Sequence, residues 1–243
     1  MPQERTRGSI FLIPSSLGEG SEEFYSPAMK EKIFGIACFI AENERTARRF
    51  LRSIGYKRNF DNVKMIKAET DDSFSPDDEL IRRLDDGMNA GVISEAGAPG
   101  VADPGAAVVR WAHASGIRVV PLIGPSSILM ALMASGLNGQ QFAFHGYLPV
   151  KQPERRKKIR ELEEESAQKN QTQLFMETPY RNDALLNDLL ATLKPRTRLC
   201  IASNISLPGE SIMTLPVSAW RKKVPGLHRQ PTIFAMLAGQ ADQ

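Results

Sequence analysis

Along this chain, short runs of apolar and β-branched residues alternate with stretches in which apolar residues return at helical spacing, as Ala47, Phe50, Leu51 and Ile54 do. The runs predict strands at 9–13, 36–40, 63–68, 90–95 and 117–121, with helices at 42–54, 76–86 and 106–114 between them. Ser75 before Pro76 reads as a helix cap with proline at the first helical position. Alternation of this kind argues for an α/β fold whose mostly parallel sheet is covered by helices. An apolar helix follows Ser127 and stops at Gly136, a short strand covers 142–144, and Gly146-Tyr147-Leu148-Pro149 reads as a turn out of a first domain. After a highly charged segment at 151–171, strands are expected at 173–177, 198–203, 211–215 and 232–238, and helices at 182–193 and 218–222. The boundary is placed near Pro149, giving domains 1–149 and 150–243.

Chemistry concentrates at 91–105, G-V-I-S-E-A-G-A-P-G-V-A-D-P-G. A buried strand there runs into a loop rich in glycine and proline, where Asp103 can cap the next helix. Loops at the carboxyl ends of parallel strands are where open α/β sheets bind small molecules. The serines and glycines of P-S-S-L-G-E-G after the first strand, and Gly124-Pro125-Ser126-Ser127 after the fifth, leave the same edge. Three such loops offer main-chain donors and acceptors at close range, suited to a nucleotide-like ligand. No G-x-G-x-x-G or G-x-x-x-x-G-K-[ST] pattern occurs, which disfavours a dinucleotide or nucleoside triphosphate.

With 243 residues, 42% of them hydrophobic and 24% charged, the chain can bury a core without staples. Its two cysteines, Cys38 and Cys200, each sit in an apolar run and read as reduced core thiols. No metal is expected, since His113, His145 and His228 share no ligand spacing. His145, beside the domain exit, has substrate contact as its alternative to a structural role. No apolar signal region or membrane-length run is present, so a cytoplasmic protein is expected. The net charge of +3 says little, but its distribution says more. Arg45, Arg48, Arg49 and Arg52 share one helix face, and Lys151, Arg155, Arg156, Lys157, Lys158 and Arg160 open the second domain. Two such clusters suit a phosphate backbone, with a solvated helix face as the bland alternative.

The sequence resembles the tetrapyrrole methylase superfamily of S-adenosylmethionine-dependent methyltransferases, and within it the ribosomal RNA small-subunit methyltransferase I family. The residues 94–105 are similar to the family's S-D-A-G-T-P-x-x-S-D-P-G, and 121–127 with 134–137 to its V-P-L-P-G-P-S-A and A-S-G-L. Ala41-Glu42-Asn43-Glu44-Arg45 resembles A-E-D-T-R, Gly146-Tyr147-Leu148-Pro149 resembles G-F-L-P, and Glu177-Thr178-Pro179-Tyr180-Arg181 resembles E-S-P-H-R. The resemblance implies a two-domain fold with a mixed sheet in the smaller carboxyl-terminal domain, S-adenosylmethionine in a cleft between the domains, and a homodimer. By position it implies Leu17, Gly97, Ala98, Pro99, Ser126, Ser127, Glu177, Pro231 and Thr232 as cofactor contacts. The family's activity implies methylation of a ribose 2′-hydroxyl in small-subunit ribosomal RNA. Glu42 and Arg45 are then the candidate base and oxyanion partner, with an ordinary helix-terminal ion pair as their structural alternative and Glu95 as a second base. Arg48, Arg49, Lys151, Arg155 and Arg156 are the candidate RNA contacts.

The chain departs from the family where T-P-I-G-N becomes Ser15-Ser16-Leu17-Gly18-Glu19, where Asn43 and Thr46 replace an aspartate and a histidine, and where A-R-E-L-T-K becomes 202–207. Cofactor-side loops are kept and several substrate-side charges are lost. A methyltransferase for a tetrapyrrole or other small molecule, and a non-catalytic RNA-binding relative, are the alternatives.

Overall fold

The computed structural model describes residues 6–19, 22–68 and 73–239; Gly20, at the end of the first expected loop, lies outside them. The chain divides into two compact units, Met1–Ser126 and Ser127–Gln243.

The first unit holds strands β1 (Ser9–Ile13), β2 (Cys38–Ala41), β3 (Lys64–Lys67), β4 (Ala90–Ile93) and β5 (Arg118–Pro121), all parallel and ordered β3-β2-β4-β1-β5. Helices α1 (Pro27–Phe34), α2 (Glu44–Ser53), α3 (Asp78–Asp85) and α4 (Gly105–Ala114) connect them. Strands covered on both faces read as continuous apolar runs, and every residue of β2 and β4 is buried. One face packs Ile13, Phe39 and Ile93 against Ile33 of α1 and Leu51 of α2. The other packs Ile10, Ile40 and Val92 against Leu80 of α3 and Val108 of α4. Each such side chain contributes about 1.5–3 kcal/mol by leaving water. Gly91 allows this closeness, because a Cβ there would stand 2.6 Å from Ile13 Cδ1.

Helix α1 has no counterpart among the sequence expectations. Its start is well marked, with Ser26 Oγ accepting from Met29 N and proline in the first turn. Only Met29 and Ile33 are buried, so the apolar periodicity is too sparse to read. Helix α3 begins later than expected, because Asp77 rather than Ser75 caps it, accepting from Leu80 N at 2.8 Å.

The second unit carries β6 (Phe142–Tyr147), β7 (Thr172–Met176), β8 (Arg198–Ser203), β9 (Ser211–Pro216) and β10 (Thr232–Leu237), ordered β6-β7-β10-β8-β9. Only β6 and β7 run parallel, so this sheet is mixed. Helix α5 (Ser127–Ser135) packs on β8, β9 and β10. Helices α6 (Gln152–Lys169), α7 (Asn182–Thr192) and α8 (Val217–Trp220) cover the Phe234 and Met236 face.

The units part between Ser126 and Ser127, whereas the sequence places the boundary near Pro149. Gly146 and Tyr147 end β6 rather than turning out of a domain, β6 pairs with β7, and Leu148 sits in the second core. The charged 151–171 segment is the long helix α6, anchored by Ile159 and Leu162. Among the described residues no helix is long and apolar enough to cross a membrane.

Candidate active site

At the carboxyl edge of the first sheet the three expected loops meet. Ser15 N donates to Gly97 O at 2.9 Å and Gly97 N to Ser15 O at 3.2 Å, joining the loops after β1 and β4. Ser94 Oγ donates to Gly97 O and lies 3.3 Å from Ser15 Oγ. Gly97 holds φ at 78°, and a Cβ there would lie 3.4 Å from Leu17 Cδ2. The loop after β5 comes against the first, since a Cβ on Gly124 would overlap the Pro14 ring at 2.6 Å. Gly97 and Pro99 are buried, and Ala98 and Ser126 half-buried. Asp103 Oδ1 accepts from Gly100 N and Gly105 N, at 2.5 and 2.8 Å, folding the long loop onto the first turn of α4.

Glu42, just past β2, is half-buried beside this loop. Burial raises its pKa above the usual carboxylate value, and the negative charges of Asp103 and Glu95 raise it further. Asp103 is itself raised by burial, against the two amides that favour its ionised form. Among the described residues no three acidic, His or Cys side chains form a metal-holding group. The part played by Asp103 was missed in sequence, which shows it only as a helix cap.

The four arginines of α2 have different surroundings. Asn43, the residue that departs from the family pattern, caps the helix through Thr46 N at 3.2 Å. Arg45 is exposed and forms no ion pair among the described residues. Arg49, with Ser15, Thr46, Glu95 and others, lines a cavity of about 170 Å³. Arg48 pairs with Glu44, and Arg48 and Arg52 lie over the Phe60 ring at 5.1 and 4.4 Å. Arg52 also donates to Tyr56 O at 2.6 Å.

In the second unit, Glu177 directly follows β7 and is buried. Its Oε1 accepts from Thr178 N and Arg181 Nη2, at 2.7 and 2.6 Å, while Oε2 is buried without a partner among the described residues. Both Glu177 and Arg181 belong to this unit, so theirs is no interdomain pair. Ser127 is half-buried at the start of α5, and Pro231 is exposed. Thr232 is committed to the sheet, its Oγ1 lying 3.0 Å from Ser203 Oγ and donating to Gln230 O. A second cavity of about 380 Å³ is lined by Ile201, Met213, Leu215, Trp220, Lys223, Gln230 and neighbours.

Arg155 is not the exposed RNA contact that its place in a basic run implied. It is 6% exposed, with Nε and Nη2 donating to Asp188 Oδ2 at 2.8 and 2.5 Å and Nη1 to Val150 O at 2.7 Å. Arg156 Nε donates to Asp188 Oδ1 at 2.7 Å, while its side chain stays 41% exposed. Asp188 carries no sequence signal; it is a buried position on an apolar helix face. Lys151 remains exposed, 3.8 Å from Glu154. His145 Nε2 lies 2.5 Å from Gln173 Oε1, which gives the ring a structural partner on β7.

Curated relatives agree along most of the chain. The protein named "Ribosomal RNA small subunit methyltransferase I" from Escherichia coli O157:H7 is 29% identical over 90% of this chain and 74% of its own. Its namesake from Haemophilus influenzae is 33% identical over 84% and 69%. That from Pseudomonas aeruginosa is 30% identical over 87% and 71%. Among solved structures, the methyltransferase CobJ matches with a TM-score of 0.61 at 16% identity, covering 97% of this chain and 96% of that one. Uroporphyrin-III-C-methyltransferase from Thermus thermophilus matches at 0.52 with the same identity, over 95% and 92%. These two likenesses are of fold. The family model described as Tetrapyrrole (Corrin/Porphyrin) Methylases matches residues 20–219. The chain is therefore a methyltransferase and belongs to the Tetrapyrrole (Corrin/Porphyrin) Methylases.

Proposed function

We propose that this methyltransferase uses S-adenosylmethionine to methylate a ribose 2′-hydroxyl of small-subunit ribosomal RNA, in the cytoplasm and as a homodimer. The observation that carries the cofactor reading is the meeting of three loops at one sheet edge, with Glu42, Glu95 and Asp103 beside them. An acidic rim favours a cationic sulfonium over a phosphate, and the loop backbone supplies hydrogen-bond partners for the rest of the ligand. The buried, unpartnered Glu177 Oε2 is a further acceptor of the kind that an amine or hydroxyl would satisfy. The acceptor reading is supported by the names of the relatives.

Leu17, Gly97, Ala98, Pro99, Ser126, Ser127, Glu177, Pro231 and Thr232 are the proposed cofactor contacts. When bound, S-adenosylmethionine supplies an electrophilic methyl group. Glu42, whose raised pKa brings it nearer to neutrality, takes the proton of the ribose hydroxyl at its carboxylate. Arg45 steadies the negative charge that grows on that oxygen. Alignment of the hydroxyl supplies most of the remaining rate. Arg49 and Lys151 attract the RNA backbone, with Arg48 and the part-exposed Arg156 in support; the buried Arg155 has no part in this. Leu129 and Met133, exposed one turn apart on α5, support a dimer.

The test is transfer of labelled methyl from S-adenosylmethionine to small ribosomal subunits from cells lacking this protein. Label in a ribose 2′-O-methyl nucleoside is expected. Label only in a tetrapyrrole, or none in RNA, would refute the reading.

A further inference from the structure

The loop after β7 and the loop before β10 carry an aromatic and cationic cluster outside the proposed cofactor and catalytic residues. Tyr180 is 69% exposed. The His228 ring meets it edge-on, with centroids 6.1 Å apart and planes at 70°, and the Arg229 guanidinium lies 5.9 Å from the Tyr180 ring centre. The cluster is rigidly mounted. Arg229 N donates to Pro179 O at 3.0 Å, Asn182 Nδ2 to Gln230 O at 2.7 Å, and Leu227 N to Asp183 Oδ1 at 2.7 Å. Arg229 holds φ at 60°, a conformation that a non-glycine residue keeps only when its surroundings fix it, and one that gathers at functional sites. Of the nearby acids, Asp183 accepts from Leu227 N, and Glu177 is buried with its Oε1 on Arg181 and Thr178 N, so neither carboxylate faces outward beside Tyr180. The outward face is therefore aromatic and positive.

We propose that Tyr180, flanked by His228 and Arg229, is the platform on which an unpaired base of the RNA substrate stacks, with Arg229 answering the adjoining phosphate. This rests on the RNA reading above and adds where and how single-stranded RNA is gripped. Every base presents a π-face, so an exposed aromatic ring holds it without regard to sequence, and a neighbouring guanidinium supplies both charge and planarity. Duplex RNA keeps its bases stacked inside and gains nothing from such a ring. The platform thus selects a loop or bulge.

The experiment measures fluorescence anisotropy of the full chain with a short unpaired oligoribonucleotide and with a duplex of the same length, at several salt concentrations. Calorimetry with S-adenosylmethionine runs beside it. Tyr180→Ala is expected to weaken unpaired RNA about 10-fold while leaving duplex binding, the salt slope and cofactor affinity unchanged. Tyr180→Phe keeps the ring and is expected to stay within about 2-fold of wild type. Arg229→Gln is expected to lower the salt slope by about one. Wild-type affinity in Tyr180→Ala, an equal loss of duplex binding, or a matching loss of cofactor affinity would each overturn the platform. If the wild-type protein neither binds nor methylates RNA, the RNA reading falls and the platform with it. If wild type does both and Tyr180→Ala does so equally well, the platform alone falls.

Discussion

Ser15 and Gly97 exchange backbone hydrogen bonds across two loops that are distant in sequence, at 2.9 and 3.2 Å. This bridge sets the loop after β4 against Leu17. Gly97→Val would place a β-branched residue at φ 78° with its Cβ against Leu17 Cδ2, at a backbone cost of about 1–2 kcal/mol. Calorimetry with S-adenosylmethionine is expected to show more than about 10-fold weaker binding, and the melting temperature to fall by about 2–8 °C. Unchanged affinity would mean that this loop does not form a cofactor wall.

Glu42→Gln separates stability from activity. The folded-state pKa of Glu42 is raised by burial, then by Asp103 and Glu95, so its protonated form favours the fold. Its contribution is fully present below the ordinary value of 4.5 and is lost as pH rises through the raised one. The neutral amide is therefore expected to raise the melting temperature near neutrality, with the gain vanishing in acid. Methyl transfer should drop about 100-fold or more if Glu42 is the base, and wild-type kcat/KM should climb with pH through the raised value. A variant with normal turnover would move the proton elsewhere, to Glu95 first.

Arg45→Ala and Arg48→Ala are expected to behave differently. Arg45 is exposed and forms no ion pair among the described residues, so its loss should lower turnover while leaving stability and cofactor affinity intact. Arg48 pairs with Glu44 and lies over Phe60, so its loss should cost stability of about 0.5–1 kcal/mol. Urea unfolding beside steady-state rates distinguishes them. Equal effects on both quantities would show that α2 acts as one block.

Asp188→Ala should cost about 3–5 kcal/mol, because it strands the Arg155 guanidinium in the second core. Burial alone would raise the Asp188 carboxyl, but Arg156 and Arg155 outweigh it and hold the pKa below the usual range. That stability is present above the unfolded value and is lost as pH falls through the depressed one. Arg155→Met, compared at equal folded fraction, should bind RNA as wild type does. Weaker RNA binding there would return Arg155 to the substrate surface.

What could be read in the sequence is what repeats along it. Fully buried β2 and β4, and the glycine-bearing loops that follow parallel strands, leave a local imprint of composition and period. Helix α1 was missed because two buried residues give no period. The unit boundary was misplaced because a Gly-Pro turn looks the same whether it leaves a sheet or returns along it. Charge was the least legible quantity. Arg155 and Arg160 share one basic run, yet the first is buried against Asp188 and the second is exposed. The Tyr180 cluster likewise unites two loops that sequence proximity does not link.

Strand β10 lies at the centre of the second sheet, between β7 and β8, although it is made after both. During synthesis β7 and β8 therefore emerge with the edges that β10 will fill still open, and the sheet closes only once residues 232–237 have left the ribosome. Until then the nascent segment has exposed ladders of the kind that recruit chaperones or stray strands. Slow translation through β10 would prolong that hazard rather than relieve it.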